Sequence, residues 1–312
     1  MNNKDHFDFL KNKKIFFLIP VVIAVITILT ALIIGVPVDI EFKGGTMLTY
    51  SYTGTIDTGA VKTAVEEMSL GTVGVTTGSA FGSDLETVQV SFSSAEGLTA
   101  EVQAQVTEKL QSSFADNGLV LVNSQDVKPS AGLSFFLKCF VAVLFSFLLL
   151  IIYIAVRFKN IGGWSAGAFA LVALANDVFM VFATFVFFRM PIDANFMAVI
   201  LTILGYSINN TIVLYDRVRE NRNLYGKKLT IDELVNTSIN QSLSRSIKTT
   251  VTTAVAVLSM SVVSLIFGVE SIISFVFPMF IGLIAGAYSS IFIAGPAWTV
   301  WKNAHPDKKE TA

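Results

Sequence analysis

Charge is what this sequence has least of. Only 14% of its 312 residues are Asp, Glu, Lys or Arg, against roughly 25% in soluble domains. The two signs also nearly cancel, with 22 Lys and Arg facing 23 Asp and Glu. No net positive field is available to neutralise phosphates, which argues against a nucleic-acid binder. Cysteine is almost absent. The lone Cys139, set in an apolar run, excludes a disulfide framework or a thiolate metal cluster and reads as a buried free thiol. What the chain has instead is apolar bulk: 53% hydrophobic residues, with 26 Phe. That excludes a disordered chain and a soluble enzyme. The composition is that of a membrane protein.

A helical span needs about 20 mostly apolar residues. Six stretches qualify: Ile15–Gly35, Ser134–Val156, Gly163–Phe188, Phe196–Tyr215, Thr250–Gly268 and Ile273–Val300. The first is too long for a signal-peptide core, and no small-residue cleavage site follows it, so it reads as an uncleaved span. The fifth is the weakest, being rich in Thr and Ser; Glu270 and Ser271 leave a tight turn before the sixth. Lys11, Lys13, Lys14, Arg157, Lys159, Arg217, Arg219, Arg222, Arg245, Lys248 and Lys302 all fall on one set of connections, while the short loops opposite hold only Arg189. By the positive-inside rule both termini, 1–14 and 302–312, are expected in the cytoplasm, with the loop 216–249. The membrane domain then comprises 15–35 and 134–301, and 36–133 is extracytoplasmic.

That insert alternates between periods. Val38–Tyr52 reads as a strand region and Thr58–Met68 as a short helix with Val61 and Val65 four apart. Thr72–Thr77 and Glu86–Phe92 read as strands around a Gly82-Ser83-Asp84 turn. Leu98–Phe114 is an amphipathic helix on Val102, Val106, Leu110 and Phe114, and Leu119–Val122 begins a last strand. The order is βαββαβ, a ferredoxin-like α+β unit. It has no His, Cys or Trp and no clustered acids, so it reads as a binding or force-bearing module, or equally as a passive fold packed on the membrane domain. The fold class expected is a polytopic α-helical membrane protein with six spans and this small domain.

Several polar residues lie within the spans. Asp177 sits 14 residues after Gly163, near the bilayer middle, where an ionised carboxylate costs ~2.5–3.5 kcal/mol on insertion scales. Gly163, Gly167, Ala170 and Asp177 share a narrow face on which another helix can pack. Asp177 is therefore an ion- or proton-site candidate, weighed against a neutral carboxyl bonded to a neighbouring helix or to Asn176. In the fourth span Thr202, Tyr206 and Asn209 recur on one stripe, with Ser207 and Asn210 beside it. Two consecutive amides in hydrocarbon need partners, either as interhelical glue or along a hydrated pathway. Thr230 to Glu233 form a capping box opening a helix with an Ile231, Leu234, Val235, Ile239, Leu243 stripe, expected to lie on the membrane surface. Arg245 follows at the entry of span five. Gly282-x-x-x-Gly286 in span six is a close-packing signal.

These residues carry a family resemblance. Gly44-Gly45-Thr46, after span one, resembles the double-glycine motif of the SecD/SecF family. Tyr206-Ser207-Ile208-Asn209-Asn210-Thr211, with Asp216, Arg217, Glu220 and Asn221, is similar to that family's fourth-span signature in its SecF members, and the run through Asn240 and Gln241 to Arg245 matches as well. The resemblance spans the chain. It implies a non-enzymatic accessory subunit of the Sec translocase with no cofactor, using an H⁺ or Na⁺ gradient to pull exported unfolded polypeptides outward across the cytoplasmic membrane. The implied partners are SecD, the SecYEG channel and, as a further candidate, YajC, besides membrane lipid and to the exclusion of nucleic acid.

One position departs. The family generally has Asn-Asp-Thr where this chain has Asn209-Asn210-Thr211, and Asn210 has no proton to release. SecD then supplies the titrating acid, or Asp177 does, or Na⁺ is bound by amide and carbonyl oxygens, or coupling is weak. A half-exporter of the resistance-nodulation-division type and an uncoupled structural scaffold are the competing readings.

Overall fold

The structure, a computed structural model, describes residues 7–79, 86–93, 97–127, 129–266 and 270–305. The turn expected at Gly82-Ser83-Asp84 and part of the connection before span six lie outside them. Six helices among the described residues are long and apolar enough to span a membrane. They are α1 (Lys13–Ile34), α5 (Pro129–Arg157), α6 (Gly163–Phe187), α7 (Ala194–Tyr225), α8 (Ile231–Ile266) and α9 (Glu270–Ser289), the last continued by a π-helical segment, Ser290–Ala294, and by α10 (Gly295–Ala304).

The intervening domain runs α2 (Ile40–Lys43), β1 (Gly45–Tyr52), α3 (Thr58–Glu66), β2 (Thr72–Ser79), β3 (Glu86–Ser93), α4 (Ala100–Ser113) and β4 (Val120–Val127). The βαββαβ order closes into one antiparallel sheet, β2-β3-β1-β4. Alternation explains its core. Leu48, Tyr50 and Tyr52 on β1 and Val88, Val90 and Phe92 on β3 point to the helices and meet Val61, Val65, Val106 and Leu110, all buried. Burial pushes the Tyr50 hydroxyl above its usual range, partly offset by its hydrogen bond with Thr107. The strand expected from Val38 begins only at Gly45, because residues 40–43 form one helical turn. The double glycine explains the switch. Gly44 and Gly45 have φ of +79° and +148°, and a Cβ on Gly45 would lie 1.9 Å from the Phe92 carbonyl oxygen. Thr46 Oγ1 then bonds Asp126 and accepts from Leu98 N, tying β1 to β4 and to the start of α4.

Three differences from expectation concern the membrane helices. Span five is not preceded by a separate surface helix or by a loop over 216–249. Instead α7 runs on to Tyr225, and α8 is continuous for 36 residues, about 54 Å. No Gly or Pro interrupts Ile231–Ile266, and Leu234, Val235 and Ile239 are buried in the main core, not laid on a lipid surface. Span six is broken by the π segment, which no residue in it announces. Cys139 is half-buried on α5, not fully enclosed.

Spans three and four are the most enclosed, with 50% and 56% of their apolar windows buried, against 6% for α1 and 17% for α5 and α8. The centre of the bundle is therefore α6, α7 and α9. Gly163 and Gly167 let α6 lie against Ala155 and Ile151 of α5.

Candidate functional site: a buried carboxyl between three helices

Asp177 is fully buried on α6. Its Oδ2 accepts from Ser207 Oγ of α7 at 2.5 Å and from Ser289 Oγ of α9 at 2.8 Å. Oδ1 has a longer contact, 3.4 Å, with Asn176 Nδ2. One carboxyl oxygen thus holds two neighbouring helices. Sequence reading foresaw Asn176 as a partner and missed both serines on the other helices.

The approach depends on glycine. A Cβ on Gly286 would lie 2.9 Å from Ser207 Cβ, and one on Gly282 would meet Ile203 and Val181, so the Gly-x-x-x-Gly face is where α9 closes on α7 and α6. Directly after Ser289 the π segment begins. Ser290 Oγ hydrogen-bonds Thr211 Oγ1 at 2.9 Å, so consecutive serines bridge first to α6 and then to α7. Two adjacent hydroxyls after Gly286 in an otherwise apolar run are the signal that could have found this pair.

Asn210 lies one turn beyond Ser207 and is also buried, but its Nδ2 has no partner among the described residues; the same holds for the buried atoms Tyr206 Oη and Thr250 Oγ1. The register between α7 and α8 relates them. Arg217 Nε donates to Gln241 Oε1, and Asn221 Nδ2 donates to Ser238 Oγ and Gln241 Oε1. Continued along the antiparallel pair, that register sets Asn210 level with Thr250. Asn209 is exposed, on a different face from Asn210. Arg245 is exposed and makes no hydrogen bond or ion pair among the described residues, so it does not meet Asn210.

The remaining motif residues form a clamp at the charged end of α7. Asp216 Oδ1 pairs with Arg157 of α5 at 3.0 Å and with Arg219 at 2.7 Å, and Arg217 pairs with Glu220 at 2.6 Å. Asn240 Nδ2 donates to the Phe7 carbonyl, and Phe9 N donates to Asn236 Oδ1, which docks the start of the chain on α8. Gly44, Gly45 and Thr46 lie apart from all of this, in the inserted domain.

A family model described as protein export membrane protein SecD/SecF, C-terminal, matches residues 105–304. The chain is 34% identical over 308 residues to a protein of Rickettsia felis named protein translocase subunit SecF, covering 98% of this chain and 96% of that one. It is 33% identical to the protein of that name in Rickettsia prowazekii, over 98% of this chain and 94% of the relative. The chain belongs to the SecD/SecF family, as a SecF-type member. Among solved structures, a crystal structure of SecDF from Thermus thermophilus, described as a translocon-associated membrane protein, matches with a TM-score of 0.79 at 28% identity and covers 97% of this chain. A SecDF structure in a super-membrane-facing form matches at 0.70 and 27%. This chain spans 40% of each of those SecDF chains. Membership gives it a transport role in protein export and a membrane-embedded location. The run Tyr206 to Thr211, which resembles the family's fourth-span signature, lies on α7.

Proposed function

We propose that this chain is the SecF-type half of an ion-gradient-driven translocase assembly, pairing with a SecD-type half to assist late steps of export beside the SecYEG channel. YajC is a further candidate partner. The observation that carries the reading is Asp177: a fully buried carboxyl held by hydroxyls from two other spans, in a subunit whose position 210 cannot titrate. Intramembrane acids that face a bundle interior mark ion or proton pathways. The bare faces of α5 and α8 fit a chain that matches less than half of a longer SecDF polypeptide. In this reading Asp177 carries the ion-linked charge of this half, the SecD-type half carries its own acid, and the termini are cytoplasmic with the α+β domain outside.

Two experiments test it. Co-purification in mild detergent is expected to recover a SecD-type subunit and the channel; a stable lone homotrimer would favour an exporter. In a Cys139→Ser background, Thr53→Cys is expected to react with an impermeant thiol reagent from outside and Asn223→Cys is not; the reverse pattern would overturn the sidedness. A scaffold without coupling is the second reading, favoured by Asn210, and it predicts export that ignores Asp177→Asn.

A further inference from the structure

Both strong hydrogen bonds to Asp177 end on the same oxygen, and they come from different helices. We infer that Asp177 is a protonation-dependent clasp that draws α7 and α9 together onto α6, with Ser207 and Ser289 as its positioning residues. This rests on the proposed ion-coupled function and adds what the coupling acid would move.

The chemistry follows from the bond pattern. As a carboxylate, Asp177 accepts two charge-assisted hydrogen bonds at Oδ2, each roughly twice as strong as a neutral one. Oδ1 is the oxygen with room for a proton, its one partner, Asn176 Nδ2, being 3.4 Å away. A proton taken from water onto Oδ1 leaves Oδ2 a neutral carbonyl acceptor, and both interhelical ties weaken at once. Return of that proton to water restores them. Asn176 also lines an apolar crevice of about 200 Å³ between α1, α6 and α9, bounded by Pro20, Met180, Ala285 and Tyr288.

What the clasp moves is set by its neighbours. Ser289 is the last residue of α9 before the π segment, and Ser290 ties that segment to Thr211 of α7. On the opposite side of the segment, Phe292 packs against Phe9, Phe16 and Tyr288, and Tyr288 Oη donates to the Phe16 carbonyl. One π-helical turn thus joins the carboxyl to α7, to α1 and to the chain's start on α8. Such turns are single extra residues frequently placed at functional sites.

No other ionisable group competes at the carboxyl. The elements packed on α6 are α1, α5, the 3-10 turn Lys159–Ile161, α7, α9, the π segment and α10. Their titratable groups are Lys13 and Lys14 on α1; Lys138, Cys139, Tyr153 and Arg157 on α5; Lys159 in the turn; Tyr206, Tyr215 and the charged end from Asp216 on α7; Glu270 and Tyr288 on α9; and Lys302 on α10. None is a partner of Asp177, whose partners are Asn176, Ser207 and Ser289.

The test is infrared spectroscopy of the full chain reconstituted in lipid, following the carboxyl C=O band that Asp177→Asn removes. The wild-type band is expected to appear and vanish reversibly with pH. Ser289→Ala and Ser207→Ala each remove a donor that favours the carboxylate, so each is expected to move the midpoint to higher pH by roughly one unit, the size of one hydrogen bond to a charged group. Ser289→Thr, which keeps the hydroxyl, is expected to restore it. A wild-type band that stays constant across pH overturns the clasp without needing any variant to fold, and unmoved midpoints in both alanine variants overturn the serines' role. A titrating band in a chain whose export ignores Asp177→Asn would leave the clasp standing and refute the coupled function instead.

Discussion

The two faces of α7 differ in how their buried polar groups are served. Toward α6 and α9, Ser207, Thr211, Ser289, Ser290 and Asp177 all find partners within the chain. Elsewhere, Tyr206 Oη and Asn210 Nδ2 on α7 and Thr250 Oγ1 on α8 find none among the described residues. Burying a polar group without a partner costs on the order of 1–3 kcal/mol. The first face is therefore a joint that stabilises the lone subunit, whereas the second carries a cost that the subunit alone does not offset. A titratable group is useful in the joint, where its charge is felt by two helices. An amide at position 210 leaves the other face polar but indifferent to protons near neutrality.

The comparison can be broken by substitution. Gly286→Val pushes α9 off α7 and is expected to be the most damaging, at about 3–4 kcal/mol, from overpacking plus the loss of both serine bonds. Loss of abundance or of thermal stability in detergent measures it. Asp177→Ala removes the acceptor that Ser207 and Ser289 share and is expected to cost about 2 kcal/mol. On the unserved face the sign changes. Thr250→Val removes an unpartnered hydroxyl at nearly constant shape and is expected to be neutral or to stabilise the isolated chain by up to about 1 kcal/mol; a loss above that would show that the hydroxyl has a partner. Asp216→Asn, at half-exposed ion pairs, is expected to cost less than about 1 kcal/mol, and less still in high salt.

Much of this was legible beforehand, for physical reasons that also explain the misses. Six apolar lengths and two strand-period alternations leave little choice of spans or of the βαββαβ order. Val61 with Val65 and Val106 with Leu110 chose the buried faces of α3 and α4 correctly. Helix ends were harder. The Ile231, Leu234, Val235, Ile239, Leu243 stripe read as a surface helix; here Leu234, Val235 and Ile239 are buried in the main core, Gln241 accepts from Arg217 and Asn221, and Asn236 and Asn240 hydrogen-bond the backbone of Phe9 and Phe7. Asp177 stood out as the lone acid deep in a span. Its partners did not, since serines 30 and 112 residues away are brought to it only by the closure of α9 on α7; the π segment that turns Ser289 and Ser290 to different helices is signalled only by Pro296 just after it, whose missing N–H and ring disrupt the bond to the Phe292 carbonyl. The α7–α8 register sets Arg245 more than a turn away from Asn210.

The most direct test of the account is post-initiation export in membrane vesicles under an imposed pH gradient, comparing Asp177→Asn with Asn210→Ala in chains of equal abundance and equal association with the SecD-type subunit. The account predicts that Asp177→Asn loses most of the gradient-driven component while Asn210→Ala retains it. Gradient-driven export that survives Asp177→Asn intact, or that is abolished by Asn210→Ala, would contradict the assignment of the coupling charge to the buried carboxyl between α6, α7 and α9.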